Sequence, residues 1–297
     1  MSDAVLPANP LPRGSLRDFL ALTKPGITRM AAFAAAGTFI VAPGHPTWRL
    51  GVAALVGITG IVAAANTLNQ HAERESDRLM ERTRLRPLPD RRMAPGAALA
   101  FGIILTVLSL ALLAVCVNML TAALGLLALV IYLAIYTPLK RRTPAALLIG
   151  AVPGAMPVLM GWTSATNHLD ASGLALFGIL FMWQIPHFIA ISVYRQAEYE
   201  AAGLRIVPSV RGLDAARRET FAYTLALLPI SLAPVLTGLA GMPYLIVASM
   251  AGLMLVALSA VAWREGTTPA WAWRYFRGTL AYIPAIGAAL ALDGFLR

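Results

Sequence analysis

Residues 66–92, NTLNQHAERESDRLMERTRLRPLPDRR, decide how the rest of the chain is read. They set carboxylates and seven arginines into a sequence that is otherwise mostly apolar. Asn66, Asn69, Glu73 and Asp77 step by three, four and four residues, which places them on one face of an α-helix over about 16 Å of its axis. Oxygen ligands stacked at the end of an apolar helix suit a hard cation such as Mg2+, which takes one or two carboxylates and completes its shell with phosphate oxygens. Arg78, Arg82, Arg84 and Arg86 follow at once and complement the phosphates themselves. A charged cytoplasmic loop after a membrane helix would account for any one of these residues. It would not need the acids in helical register.

Around this segment the composition is that of a membrane protein. Of 297 residues, 58% are hydrophobic and 13% charged, and the mean hydropathy is +0.70. A soluble domain would carry about a quarter charged residues. The net charge of +10 does not point to nucleic acid, because the basic residues sit in short loops between apolar spans, where they set orientation. The single cysteine, Cys116, excludes an intrachain disulfide. Residues 1–22 carry Arg13, Arg17 and Asp18 and read as a cytoplasmic N-terminal tail with no apolar run of signal-peptide type. With no Arg- and Ser-rich transit segment either, a bacterial inner (cytoplasmic) membrane is expected. The whole of 1–297 reads as one transmembrane domain.

Crossing the hydrocarbon takes about 20 apolar residues. Nine candidate spans follow, at about 27–43, 48–69, 95–115, 119–139, 145–162, 173–194, 221–240, 243–263 and 278–296. The fifth is short and rich in Gly and Pro, which a membrane helix tolerates where neighbours bury the freed backbone groups. With the N-terminus inside, every basic residue except Arg49 and Arg297 falls on the cytoplasmic side, a strong positive-inside signal that leaves the C-terminus on the opposite side. The two longest loops, about 70–94 and 195–220, then share one membrane face and become the expected active-site loops.

A second polar cluster ends the sixth span, in FMWQIPHFIAISVYRQAEYEAAG. Gln184, His187, Tyr194 and Glu198 keep helical spacing, and Pro186 is expected to bend the span. A glutamine and a histidine inside a membrane span indicate a site by default, with satisfied interhelical bonds as the ordinary alternative. Nε2 of His187 can serve as an iron ligand. Glu198 lies on the side where Glu73 and Asp77 end, whereas Glu200 reads as a solvated charge. Lys24 opens the first span, where a snorkelling lysine is the plain account. Tyr132 and Tyr136 are one turn apart and suit either an aromatic belt or the stabilisation of a cation. The tryptophans of 263–273 read as belt residues, and Asp293 has no evident partner.

These motifs resemble a known family. The run N-x3-E-x3-D-x2-M-x-R-T-x2-R-P-L-P from Asn69 to Pro89 is similar to the first signature of the haem O synthases (protohaem IX farnesyltransferases), a branch of the UbiA superfamily of intramembrane prenyltransferases. TKPGIT (23–28), YTPLKR (136–141), IGAVPGAMPVLMGW (149–162), WQIPHF (183–188) and EYEAAGLRIVP (198–208) continue it in family order, so the resemblance covers about 23–208. It implies an all-α, nine-helix bundle with a central cavity open to the membrane and the cytoplasmic face. It also implies transfer of the farnesyl group of farnesyl diphosphate to a vinyl group of haem B, with addition of water, giving haem O.

By position, Asn69, Glu73 and Asp77 correspond to the first acidic motif and Glu198 to the acid of the second. These four are the expected Mg2+ ligands. With Arg82, Arg86 and Lys140, which match basic positions of the family motifs, they form the expected catalytic set. Lys24, Asn66, Tyr132, Tyr136, Trp183, Gln184, His187 and Phe188 form the expected substrate-binding set, His187 matching the histidine of WQ-x-PHF. The chain departs from the family at 198, where Glu replaces the usual aspartate and only one acid of the second motif is kept. Other classes stay open beside this one: a prenyltransferase acting on an aromatic acid or quinone precursor, a membrane transporter, or a haem-binding chaperone. Contacts with a haem A synthase or a second copy of the chain leave no readable mark.

Overall fold

The computed structural model describes residues 14–44 and 46–296. The N-terminal stretch 1–13 and Arg297 lie outside them. Among the described residues every regular element is helical, and no strand occurs. The elements are α1 (Leu16–Leu22), α2 (Pro25–Val41), α3 (Trp48–Asp77), α4 (Pro95–Cys116), α5 (Met119–Leu139), α6 (Ala146–Thr166) and α7 (Ala171–Tyr194). They continue with α8 (Gln196–Ala201), α9 (Val207–Arg211), α10 (Leu213–Leu236), α11 (Met242–Ala260), α12 (Ala262–Glu265) and α13 (Pro269–Leu296).

Among the described residues, eight helices, counting α11 and α12 as the one run Met242–Glu265, are long and apolar enough to cross a membrane. The ninth expected span is α2, an apolar helix of 17 residues. Several bounds move. The second span runs on through Asp77, so the first third of the expected loop 70–94 is helix. The last two long helices of the C-terminal half that follow loops, α10 and α13, begin at Leu213 and Pro269, well before 221 and 278.

Burial explains why the fifth span carries so many small and imino residues. In α6, 61% of the most apolar window is buried inside the protein, against 17% in α4. α6 packs on α2, α3, α5 and α7, whereas α4 leans on α3 and α5 and turns the rest of its surface to lipid. At Gly161 the backbone of α2 comes so close that a Cβ would sit 2.2 Å from the Ala35 carbonyl oxygen. Thr38 donates across the same contact to the Val158 carbonyl at 2.8 Å. One apolar core joins α2 to α6 through Ala35, Ile58, Ile61, Leu113 and Met160. Two more join α6 and α7 to α10, α11 and α13.

The packing refines one expectation and corrects two. Within the expected N-terminal tail, residues 16–22 form a capped helix: Ser15 and Asp18 form a reciprocal capping box, and Leu22 packs with Leu88, Met93 and Ala98. Trp271 is not a belt residue; it is 1% exposed, and its indole donates to the Leu258 carbonyl at 2.9 Å. Asp293 does have a partner, accepting the backbone N–H of Gly241 at 2.7 Å at the start of α11. Periodicity places such residues on a face, but the partner comes from a distant segment.

Candidate active site

The last three turns of α3 carry the acidic ladder. Asn69, Glu73 and Asp77 are all buried and lie on one helix face, each met by a cation from a different segment. The Lys24 ammonium donates to Asn69 Oδ1 at 3.3 Å. Lys140 pairs with Glu73. Arg86 donates to Asp77 Oδ2 at 2.7 Å. Asn66, one turn deeper, does not join them. Its amide donates to the Thr23 carbonyl at 3.4 Å and to the Thr28 hydroxyl at 3.3 Å, so it holds the α1–α2 turn.

That turn is what delivers Lys24. Between α1 and α2 the chain takes a left-handed conformation at Lys24, φ 48° and ψ 69°, unusual for a residue with a Cβ. Gln70 fixes it from below, donating to the Leu22 carbonyl at 2.6 Å. Lys24 is therefore no snorkelling residue. Burial, with Arg86 close by, pulls its ammonium down to about 8.

The second motif arrives by a route the spacing did not anticipate. α7 stops at Tyr194, and Arg195, at φ −112° and ψ 23°, breaks the helix before α8 begins. His187 and Glu198 are therefore on separate helices, not one continuous face. Glu198 still reaches the rim of the ladder. Arg82, five residues beyond Asp77, has its Nε 3.5 Å from Glu198 Oε1, and Arg195 donates to Oε2 at 2.9 Å. The Arg205 N–H donates to the Lys140 carbonyl at 3.1 Å, tying the loop after α8 to the loop after α5. Tyr199 packs beside Arg82 and Glu198, and burial pushes its phenol up, so it stays neutral. Arg78 does not face the site; it binds Glu75 at 2.7 Å and the Pro89 carbonyl at 3.1 Å. Glu200 is exposed but takes hydrogen bonds from Gln196 and Ser209, both at 2.7 Å.

Beneath the ladder, residues Ile131–Tyr136 of α5 form a π-helical segment, a local widening that recurs at functional sites. It stacks the rings of Tyr132 and Tyr136 at 5.5 Å. Thr137 is freed to bond the Tyr132 carbonyl at 2.8 Å and to accept from the Asn69 amide at 3.0 Å. The Tyr132 hydroxyl reaches Asn69 Oδ1 at 3.4 Å, and the Lys140 ammonium lies 5.7 Å from the Tyr136 ring centre. Gly150 makes room for Tyr136, since a Cβ there would come 2.5 Å from the ring.

The α7 cluster sits against α13. Trp183 stacks on His187 at 4.5 Å, Phe276 lies 5.0 Å away and Phe188 meets the imidazole edge-on at 5.3 Å. Trp183 and His187 are buried, whereas Phe188 is 43% exposed. His187 Nδ1 is 2.7 Å from the Thr279 hydroxyl. Gln184 serves packing: its amide donates to the carbonyls of Leu180 at 3.1 Å and Ala151 at 3.3 Å.

Among the described residues no three His, Cys, Asp or Glu side chains converge into a metal cage. The donor set nevertheless fits Mg2+, which keeps few protein carboxylates and relies on phosphate and water for the rest. Glu198 Oε1 accepts no hydrogen bond, and Glu73 Oε1 meets only the Lys140 ammonium, so both oxygens keep capacity for a ligand. Residues that spacing missed are Gln70, Thr137, Tyr199 and Thr279. Each acts through a contact between segments, which the spacing of charged residues along one helix does not report.

Comparison with known proteins shows the family and the fold. The family model described as the UbiA prenyltransferase family matches residues 30–281. Protoheme IX farnesyltransferase of Myxococcus xanthus (strain DK1622) is 48% identical over 93% of this chain and 94% of its own length. The protein of that name from Anaeromyxobacter dehalogenans (strain 2CP-C) is 45% identical over 96% of each, and that from Brucella ovis is 36% identical over 95% and 92%. In fold, the chain is similar to a digeranylgeranylglyceryl phosphate synthase, with a TM-score of 0.82 over 95% of this chain and 99% of that one at 15% identity. It is also similar to a UbiA homologue from Archaeoglobus fulgidus bound to GPP and Mg2+, with a TM-score of 0.70 over 92% and 99% at 17% identity. The chain belongs to the UbiA prenyltransferase family, alongside relatives named protoheme IX farnesyltransferase.

Proposed function

We propose that the chain transfers the farnesyl group of farnesyl diphosphate to a vinyl group of haem B, with addition of water, to give haem O and diphosphate. The allylic C–O bond breaks with its electrons going to the diphosphate. The vinyl terminus bonds to the farnesyl carbon, and water adds its oxygen to the other vinyl carbon and loses a proton. The relatives' names support the acceptor and donor. The observation that carries the reading is the ladder Asn69, Glu73, Asp77, with Glu198 drawn to the same rim by Arg82.

Each acid already has a cationic partner, so the site can exchange pairs without stranding a charge. Asn69, Glu73, Asp77 and Glu198 would hold Mg2+ bound to the diphosphate, and Lys24, Arg82, Arg86 and Lys140 would turn to the phosphate oxygens. Bound there, Mg2+ supplies charge stabilisation to the leaving diphosphate. The basic side chains would add to this in a water-poor site, where such contacts count most. The faces of Tyr132, Tyr136, Trp183 and Phe188 suit the allylic cation and keep water from it. Asn66 supports the turn that carries Lys24, Gln184 ties α7 to α6, and His187 takes the haem.

Residues 1–297 would form one prenyltransferase domain in a bacterial inner membrane, with the N-terminus cytoplasmic and the C-terminus opposite. Purified protein given haem B, farnesyl diphosphate and Mg2+ should yield a product with the mass of haem B plus a farnesyl group and a hydroxyl. If it instead prenylates an aromatic acid or a quinone precursor and leaves haem B untouched, this assignment is wrong.

A further inference from the structure

Resting on haem as the acceptor, we infer that Thr279 is a positioning residue for His187. It holds the imidazole as the Nδ1–H tautomer, so that the Nε2 lone pair binds the iron of the haem substrate.

A threonine hydroxyl has a single proton, and that of Thr279 makes two short contacts. Its oxygen lies 2.6 Å from the Phe276 carbonyl oxygen and 2.7 Å from His187 Nδ1. With the proton directed at Phe276, both contacts are hydrogen bonds: the hydroxyl donates to the carbonyl and accepts from Nδ1–H. With the proton directed at His187, two oxygens would face each other lone pair to lone pair at 2.6 Å in a fully buried position. The first arrangement wins.

A neutral imidazole carries one N–H, so Nε2 bears the free lone pair. Among the described residues the imidazole forms its hydrogen bond through Nδ1, and Nε2 makes none. Thr279 also fixes the plane of the ring. Its carbonyl accepts the Trp183 indole N–H at 2.9 Å, and that indole stacks on His187. Histidines that bind metals through one nitrogen are oriented in this way by an acceptor on the other. The flanking rings of Phe188 and Phe276 give the apolar walls that a porphyrin needs. His187 precedes the end of α7 by seven residues, roughly 10 Å of axis, which places the iron below the acidic rim rather than within it. Of the other described histidines, His71 faces the Pro95 carbonyl and His168 lies in the turn after α6.

The test uses full-length protein titrated with haem B in the absence of Mg2+ and farnesyl diphosphate. The readouts are the haem Kd and the iron–histidine stretch of the ferrous complex in resonance Raman. Wild type should show the stretch. His187→Ala should lose it and regain it with added imidazole. Thr279→Val should weaken haem binding about tenfold or more and lose the band, Thr279→Ser should match wild type, and Trp183→Phe should keep the band because the hydroxyl remains. An unchanged Kd and band in Thr279→Val, or a band surviving in His187→Ala, would overturn the inference. Wild type that makes haem O but shows no iron–histidine band also overturns it, while leaving the reaction intact. Wild type with a Thr279-dependent band but no haem O supports the ligation and sinks the reaction.

Discussion

Removing Arg86 should damage the protein twice, and neutralising its partner as well should repair one of the two losses. The Asp77 side chain is 7% exposed and takes a 2.7 Å bond from Arg86, whose own side chain is 23% exposed. Arg86→Ala leaves a buried carboxylate without its counter-ion, a change that costs about 3–5 kcal/mol when the pair is fully enclosed. Here water can reach the gap left by Arg86, so about 2–3 kcal/mol is expected, a fall of roughly 4–10 °C in the thermal midpoint. Asp77→Asn added to Arg86→Ala removes the stranded charge and should recover about half of that fall. Activity should not follow stability. Asp77→Asn loses an anionic oxygen that would hold Mg2+ at the reacting headgroup, worth about 100- to 1,000-fold in rate, and the double variant should be at least as slow. The four proteins are compared by thermal midpoint in one detergent and by haem O formed per minute. A double variant that melts no higher than Arg86→Ala would show that the pair is not a buried charge couple, and wild-type turnover by Asp77→Asn would remove Asp77 from the chemistry.

Glu73→Ala should insert at wild-type levels yet form no haem O above background; measurable turnover at matched expression would end its role as a ligand. Gly161→Ala puts a Cβ 2.2 Å from the Ala35 carbonyl oxygen and 2.8 Å from its Cα. Backbone cannot move aside as a side chain can, so a loss of about 1–3 kcal/mol is expected, and an unshifted melting curve would contradict the close α2–α6 packing. Asp18 is held below the usual carboxylate range by the Ser15 N–H and hydroxyl and then by Arg92. Its contribution is thus present above the unfolded value and lost as pH falls through the lowered one. Asp18→Asn should melt below wild type at pH 7, by the few degrees that about 1 kcal/mol of cap represents, and the gap should close in acid. A gap that persists under full protonation would mean that the carboxylate charge is not what caps α1.

The ladder was legible because a 3.6-residue period acts within one helix: Asn69, Glu73 and Asp77 need no knowledge of the rest of the chain to be placed together. The membrane class was legible for a similar reason, since composition over a span decides it. The same logic failed at Glu198. YRQAEYE has neither glycine nor proline and reads as uninterrupted helix, yet the backbone breaks at Arg195, where the guanidinium bonds Glu198. Local propensity did not decide this turn. The π-helical turn at Ile131–Tyr136 is equally silent in IYLAIY, and it decides how the two tyrosine rings lie under Asn69.

Which cation meets which acid belongs to a third level, set by segments far apart in the chain. Arginine density after Asp77 announced an anion site but could not tell Arg86, which reaches Asp77, from Arg78, which turns to Glu75 and Pro89. Lys24 shows why. Its side chain reaches Asn69 only because Gln70 and Asn66 hold the preceding carbonyls and force the backbone into a left-handed turn. Both amides stand on the ladder's own helix, one beside Asn69 and one a turn below. The helix that presents the acids therefore also positions a base facing them, so a change at Gln70 or Asn66 would act on the site by moving Lys24, through residues with no charge of their own.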